Sequence, residues 1–463
     1  MGGGGANSLN SPKTGDNGEN HLPENGEEYT VTYRTYDDYF TYYNITSETI
    51  SKQDLTGTGS SSDPFVVHST KGFLFLTNYS LSKTNLRNKY VSIECDIVLN
   101  DEVFDENGNP SGGDGIVYSW SHVTKYTAGY FEGNGHYIKG AYFKDDAQTK
   151  SNISLFGEVL EMRNLTIENS YLKAGKYVFG VASRMGLLEN VHAKNIYLTG
   201  VGDVAGISNI FSGQAKNCSF SGKISNSSSR TGGLFLTMNG KDFLYACVNY
   251  ADMNCVSVSG GLVAQNNGGG VRIKDCINYG NLNCSAYSNG GALGISSGNC
   301  VISNFKNYGN ISSTSNDIGG IVGRQDGDLV IESCFNAGKI ETPSSLAGEF
   351  VGNIRNDTSK RSLTCFIRDF EIYSYSAKPI VAGSNVTDTK EIYVDIERGK
   401  IFYDTEKSLG VVALAIFTKD EYCLRASEIH IIQKNENLNL SEVVLQGQAQ
   451  IWKKFMCFLK KHR

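Results

Sequence analysis

Between residues 150 and 355 the apolar positions come in short runs, each cut off by Gly, Asn, Ser or Asp. Examples are "NLTIEN" at 164–169, "GGIVG" at 319–323 and "LVIESCFN" at 329–336. No stretch of about ten to twelve residues in this span repeats its apolar positions every 3.6 residues, so the pattern predicts short strands and no helix. Small–Gly pairs followed by apolar residues punctuate the runs: Phe179-Gly180, Ala205-Gly206, Gly232-Gly233, Gly260-Gly261, Gly290-Gly291, Gly319-Gly320 and Ala347-Gly348. Their second glycines lie 26, 27, 28, 30, 29 and 28 residues apart, with "SLFGEVL" from Ser154 fitting one register earlier. Self-similarity at such a period marks a solenoid, and units of strands without helix mark a parallel β-helix.

In that fold equivalent residues of successive coils lie above one another at about the 4.8 Å strand spacing. Asn249, Asn278, Asn307 and Asn336 fall 29 residues apart, two of them in the string Asn-Tyr-Gly-Asn. Stacked, they form a ladder in which each amide donates to the next carbonyl oxygen. Gly280, Gly309 and Gly338 follow two residues later, where a turn with positive φ is expected. Cys218, Cys247, Cys276 and Cys334 share a second ladder with Phe305 on its fourth rung. Side chains of one ladder point the same way, so packed, reduced thiols are expected rather than disulfides.

Three further strings precede the glycine-led coils in order: "GTGSSSDPFVV" from Gly57, "YVSIECDIVLN" from Tyr90 and "YFEGNGHYIKGAYF" from Tyr130. Over roughly residues 57–375 the chain resembles bacterial cell-surface proteins carrying GLUG-motif repeats. The sharpest match is the Gly-Asn-Gly-His box. Departures are Ala205 and Ala347 at first-glycine positions and Phe305 at a Cys or small-residue position. The resemblance implies a right-handed parallel β-helix in a secreted or surface-anchored protein, and by itself no enzyme.

Composition agrees with an all-β chain of many tight turns: 463 residues hold 52 Gly and only 6 Pro, with 40% hydrophobic residues. Net charge is −6 with signs interspersed, which leaves no footprint for nucleic acid. The eleven cysteines include no zinc-ligand spacing. No apolar run reaches transmembrane length, "LGVVALAIF" from Leu409 being the longest. The first 28 residues lack a signal-peptide apolar core and read as a flexible leader. The last thirteen, "IWKKFMCFLKKHR", read as a terminal helix packing on the domain, with membrane or partner contact as the alternative.

Candidate chemistry is sparse. Glu132 and His136 of "EGNGH" read as a tight turn. Asp105, Asn107 and Asn109 have calcium-loop offsets, but Pro110 and Ile116 stand where such a loop needs Gly and Glu. The acids Glu168, Glu189, Asp203, Asp242, Asp275, Asp326 and Glu332 are scattered, without the paired carboxylates that glycoside chemistry needs. No catalytic, cofactor-binding or metal residue is assigned.

The expected organisation is a leader (1–28), an N-terminal cap with first coils (29–150), GLUG-like β-helix repeats (151–375) and a C-terminal cap or small accessory region (376–463). Within the last, "EIYVDIERGKIFY" reads as a hairpin about Arg398-Gly399, and the stretch after it as mixed strand and short helix. The functional expectation is an extracellular or cell-surface adhesin-like module for a glycan or protein ligand, without cofactor or nucleic acid, touching membrane only through an anchor not visible here. The alternative is a carbohydrate-active β-helix enzyme, a polysaccharide lyase or hydrolase. A stripe of exposed aromatics on one face would mark the first, and convergent acids the second.

Overall fold

A computed structural model describes residues 29–36, 42–50, 54–74, 76, 86–111, 116–117, 126–145, 152–355, 362–373, 378–384, 391–404, 414–417, 422–434 and 442–445. The expected leader and the basic C-terminal stretch lie outside them. The fold is nearly all β, with parallel strands stacked into a β-solenoid of about 10 turns. Helical backbone among the described residues is confined to positions between 70 and 76. The chain falls into two compact units, Met1–Leu198 and Thr199–Arg463.

In the first unit Tyr29–Tyr36 and Tyr42–Ile50 pair antiparallel, as do Leu55–Thr56 and Phe65–Val67. From Phe65 the ladder is parallel. Phe65–Val67 pairs with Tyr90–Ile93, that strand with Tyr126–Glu132, and that with Asn152–Ala174. Asparagine serves the corners here: Asn164 and Asn190 sit at φ of 52° and 55°, and Asn190 Nδ2 donates to Asn164 Oδ1 at 2.8 Å. Asn is among the few residues that accept this left-handed backbone.

In the second unit one corner residue per coil takes the same conformation. Asn217, Ala246, Asp275, Asn304, Ser333, Asp369, Arg398 and Glu428 have φ between 49° and 55°. Before each corner the strand alternates as period 2 requires. In Val271–Lys274, Cys300–Ser303 and Leu329–Glu332, which pair in register, the first and third residues are buried and the second and fourth face outward.

The asparagine ladder is present and runs in one direction. Asn249 Nδ2 donates to Asn278 Oδ1 at 2.8 Å, Asn278 to Asn307 at 2.9 Å and Asn307 to Asn336 at 2.9 Å. The second hydrogen of Asn278 and of Asn307 goes to the carbonyl of Gly280 and Gly309, each at 3.0 Å. All four asparagines are fully buried. The ladder, with the next coil's carbonyl oxygen 1.9 to 2.2 Å from the same Cβ position, explains the second glycine of each pair. A Cβ on Gly233, Gly261, Gly291 or Gly320 would stand 2.6 to 2.8 Å from the amide of Asn249, Asn278, Asn307 or Asn336. No real Cβ comes that close, so each rung of asparagine demands a rung of glycine.

Several expectations need correction. Gly280, Gly309 and Gly338 are not among the positive-φ glycines. Glycine is needed there because a Cβ would lie 1.9 to 2.0 Å from a carbonyl oxygen of the preceding coil. The pair Ala347-Gly348 is one residue out of register: Gly348 pairs with Gly319 and Ala347 with Ile318. Glu349 therefore takes the second-glycine position, and its backbone oxygen faces Gly320 as Gly320's faces Gly291. The ladder has lost its asparagine on the following coil, where Ile372 pairs with Asn336. The Glu349 carboxylate takes over as acceptor, 3.0 Å from Asn336 Nδ2 and fully buried.

The coils also run on beyond residue 375. Ser362–Tyr373, Glu391–Asp404 and Tyr422–Lys434 pair parallel in sequence, so Arg398-Gly399 is a coil corner and no hairpin turn. Gly399 is fixed by packing, since a Cβ there would stand 2.0 Å from the Phe370 ring. The stretch read as mixed strand and short helix forms Tyr422–Lys434 with Glu442–Leu445 antiparallel to it.

Cys218, Cys247, Cys276 and Cys334 are free and buried, as are Cys300 and Cys365. Burial pushes the Cys300 and Cys334 thiols up to about 12 and raises Cys276 as well, which keeps them neutral and unreactive. The expectation of no cross-link fails elsewhere. Cys255 and Cys284, paired rungs of adjacent coils with Cα atoms 4.5 Å apart, form a disulfide. That separation lies at the near edge of what the bond accepts.

Three outcomes are expected. Asn278→Ala strands its neighbours' buried amide groups and should lower stability in denaturant melts by about 1–3 kcal/mol. Asn336→Ala should cost at least as much, because it removes the donor to a buried carboxylate; parent-like melts for both would refute the ladder's role. Peptide mapping after alkylation of unreduced native protein should find Cys255 joined to Cys284, with Cys218, Cys247, Cys276 and Cys334 unlabelled; labelling of those four in the native state would show they do not face inward. Asp242, whose oxygens accept the amides of Gly213 and Asn239 at 2.9 and 2.6 Å, is raised by burial to about 6. The native state thus holds a proton there that the unfolded chain has released, and stability falls as pH rises from about 4 to about 6. Partial hydration limits the effect to the order of 1 kcal/mol. Subtracting the Asp242→Asn stability–pH curve from the parent's should expose that slope, and a flat difference would disprove it.

Candidate binding surface

The residue after each ladder asparagine faces outward. Tyr250, Tyr279 and Tyr308 are 52%, 44% and 41% exposed. Register stacks their rings: Tyr250 and Tyr279 have centroids 5.3 Å apart, Tyr279 and Tyr308 5.1 Å, each pair within 8° of parallel. On the next coil this row carries Ala337, one residue past Asn336. Phe335, two residues earlier on the same outward face, fills the gap. Its ring lies 5.3 Å from Tyr308 and 5.3 Å from Tyr373. Tyr373 then stacks on Phe402 at 4.8 Å and 18°. Six aromatics on consecutive coils thus form one outward row, each spaced by the height of a coil. Diagonal neighbours on one sheet face are within reach of aromatic side chains, which is why the Phe335 substitution works.

Polar groups flank the row. On one side stand exposed Lys306 and the Lys400–Glu371 pair at 3.3 Å. On the other, Asn281 donates its backbone and side-chain N–H to Asp252 Oδ1 at 3.0 and 2.9 Å. Asn281 Oδ1 in turn accepts the backbone N–H of Asn310 at 2.9 Å. The string Asn-Tyr-Gly-Asn therefore divides into a buried rung, an outward ring, a close backbone approach and an exposed rung.

Acids stay apart and are already engaged. Asp203 and Asp275 link neighbouring coils, Asp203 binding Arg230 at 2.6 Å and Asp275 accepting from Asn304 at 2.6 Å, while Asp326 accepts from Arg324 of its own coil at 2.7 Å. Arg163 spans Glu161 and Glu189. Asp369, beside the row, is held below its usual range by the Arg398 guanidinium 2.6 Å away. The Gly-Asn-Gly-His box is a turn. Glu132 accepts from the Asn134 backbone and the Asn164 side chain, while His136 Nδ1 contacts Asp96 at 3.0 Å. In the calcium-like loop the Asp105 carboxylate is taken by the backbone amides of Asn107 and Asn109 at 2.9 and 2.8 Å. Those bonds, Asn109's first, lower its pKa. Among the described residues no cluster of three His, Cys, Asp or Glu could hold a metal.

None of these aromatics was singled out from the sequence. Tyr250, Tyr279 and Tyr308 could have been found, since each follows a ladder asparagine and alternation turns it outward, whereas Phe335, Tyr373 and Phe402 fall at irregular spacings.

No family model and no curated protein matches the chain. Among solved structures it is similar to a putative immunoglobulin A1 protease from Bacteroides ovatus, at 16% identity, covering 62% of this chain and 79% of that one, with a TM-score of 0.34. A likeness of that size carries no argument for what this chain does.

Proposed function

We propose that the protein is a cell-surface or secreted solenoid module that binds an extended polysaccharide along the row Tyr250–Tyr279–Tyr308–Phe335–Tyr373–Phe402. The observation that carries this reading is the row itself: uncharged ring-bearing side chains at a nearly constant spacing, edged by asparagine amides on one side and by Lys306 and the Lys400–Glu371 pair on the other. A sugar polymer is also periodic and presents apolar C–H faces with polar edges, which suits the apolar body and polar tip of tyrosine. Individually weak contacts add along a tethered polymer as effective concentration rises. The exterior location is supported by the resemblance to GLUG-repeat proteins and by the Cys255–Cys284 disulfide, since such bonds persist in oxidising compartments.

Polysaccharides displayed on a glycan array should be retained by the parent protein. Tyr279→Ala with Tyr308→Ala should weaken retention about tenfold, the equivalent of about 1.4 kcal/mol, at unchanged melting temperature. Equal retention by parent and variant would overturn the reading. Release of reducing sugar by the parent would instead favour the carbohydrate-active enzyme.

A further inference from the structure

A cavity of about 440 Å³ in the second unit is lined by Tyr287, Asp317, Arg324, Leu346, Asn353 and Arg355, among others. It lies among coils where the chain departs from its regular repeat. Arg324 and Asn353 are register partners on neighbouring strands. Behind them runs a hydrogen-bonded network. Asn353 Nδ2 donates to Asp317 Oδ1 at 2.7 Å, Ser288 Oγ donates to Asp317 Oδ2 at 3.2 Å, and Ser384 donates its backbone N–H and hydroxyl to Asn353 Oδ1 at 2.8 and 3.0 Å. Arg324 holds Asp326 through Nε and Nη2 at 3.0 and 2.7 Å. Asp317 is 6% exposed and Asn353 2%, so these polar groups are fixed before any ligand arrives. Tyr287, 49% exposed, stands at the opening.

A network of this kind also ties coils together, and that alone would account for Ser288, Asp317, Asn353 and Ser384. It accounts neither for the open volume nor for a large ring held out beside it. The charges in and around the cavity balance, two guanidinium groups against the carboxyls of Asp317 and Asp326. The Asp317 carboxyl is raised by burial and pulled back by Asn353, Arg324, Ser288 and Arg355. A balanced wall of donors and acceptors suits a neutral polyhydroxylated ligand, in which one hydroxyl donates to a carboxylate while its neighbour accepts from a guanidinium. Tyr287 and Leu346 supply apolar surface for the C–H face of a ring.

We infer that this cavity binds one neutral pyranose unit. It is a second glycan site, separate from the aromatic row and independent of it.

Saturation-transfer and heteronuclear NMR titrations of the full chain test this, with the methyl pyranosides of glucose, galactose, mannose and N-acetylglucosamine and with methyl glucuronide as probes. At least one neutral glycoside should bind in the millimolar range, with shifts confined to the cavity residues. Tyr287→Ala and Arg355→Gln should each weaken it about fivefold or more, the tyrosine variant at the parent's melting temperature. The site is overturned if no neutral glycoside binds, if Tyr287→Ala leaves binding unchanged, or if the glucuronide binds more tightly than every neutral probe. A failed polymer screen beside a positive glycoside titration would remove the row's role and leave the cavity's intact.

Discussion

The buried amide of Asn278 has two hydrogens and an oxygen to satisfy, and no water to help. Its own turn supplies one acceptor, the Gly280 carbonyl. The other partners must be the amides directly above and below, Asn249 and Asn307. A slip of one residue in strand register would turn every inward side chain outward, and the amides would then lose both neighbours at once. Register is therefore specified at each coil of the ladder by groups that are expensive to leave unpaired. With register fixed, the glycine facing each amide becomes obligatory, the tyrosine after each asparagine must stack, and the exposed asparagine after that must cap the next coil's backbone.

The places where the repeat breaks show the same constraint from the other side. Where no asparagine follows Asn336, Glu349 occupies the glycine position and sends a carboxylate inward to accept the last hydrogen bond. Asn249 begins the ladder above Phe220, which pairs with it in register. There the amide oxygen turns back to the Ala251 backbone at 3.1 Å. Gly206 meets the Phe220 ring as later glycines meet an amide. Each departure in sequence is matched by a second departure one contact away.

Legibility followed that logic. Period, strand class and both ladders were readable because in-register stacking writes them into the chain at a nearly constant interval. What failed depended on contacts that spacing does not encode. Gly348 aligned with the second glycines by eye, yet backbone pairing sets it one position earlier. Gly280 had the look of a turn glycine, but the preceding coil's carbonyl is what excludes a side chain. Arg398-Gly399 carried a hairpin signal, whereas a coil corner needs the same left-handed residue before an extended strand. Cys255 and Cys284 belong to a row of only two cysteines, followed by Ser313 in register, so no long ladder drew attention to them. The cavity gathers Tyr287, Asp317, Arg324, Asn353 and Arg355 from coils of unequal length, and unequal length is what a search for a period discards.

The outward row is a feature that the packing does not require. Inward positions are bound by the core and corner positions by backbone conformation, but the residue after each ladder asparagine touches neither. Charged side chains are tolerated on the same face, as exposed Lys306 and the Lys400–Glu371 pair show. Lysine or glutamate on the row itself would leave the coils as well packed and the surface better hydrated. The chain instead places tyrosine on three successive coils and recruits Phe335 where its register offers only Ala337, keeping rings in contact across the gap. Ring-to-ring stacking contributes about 0.5–1.5 kcal/mol per pair, which rewards continuity but not exposure of that much apolar surface to water. Contiguous exposed apolar surface of this kind is what supports the proposed binding role, and a period equal to the coil height supports the proposal of a partner that is itself a repeating chain.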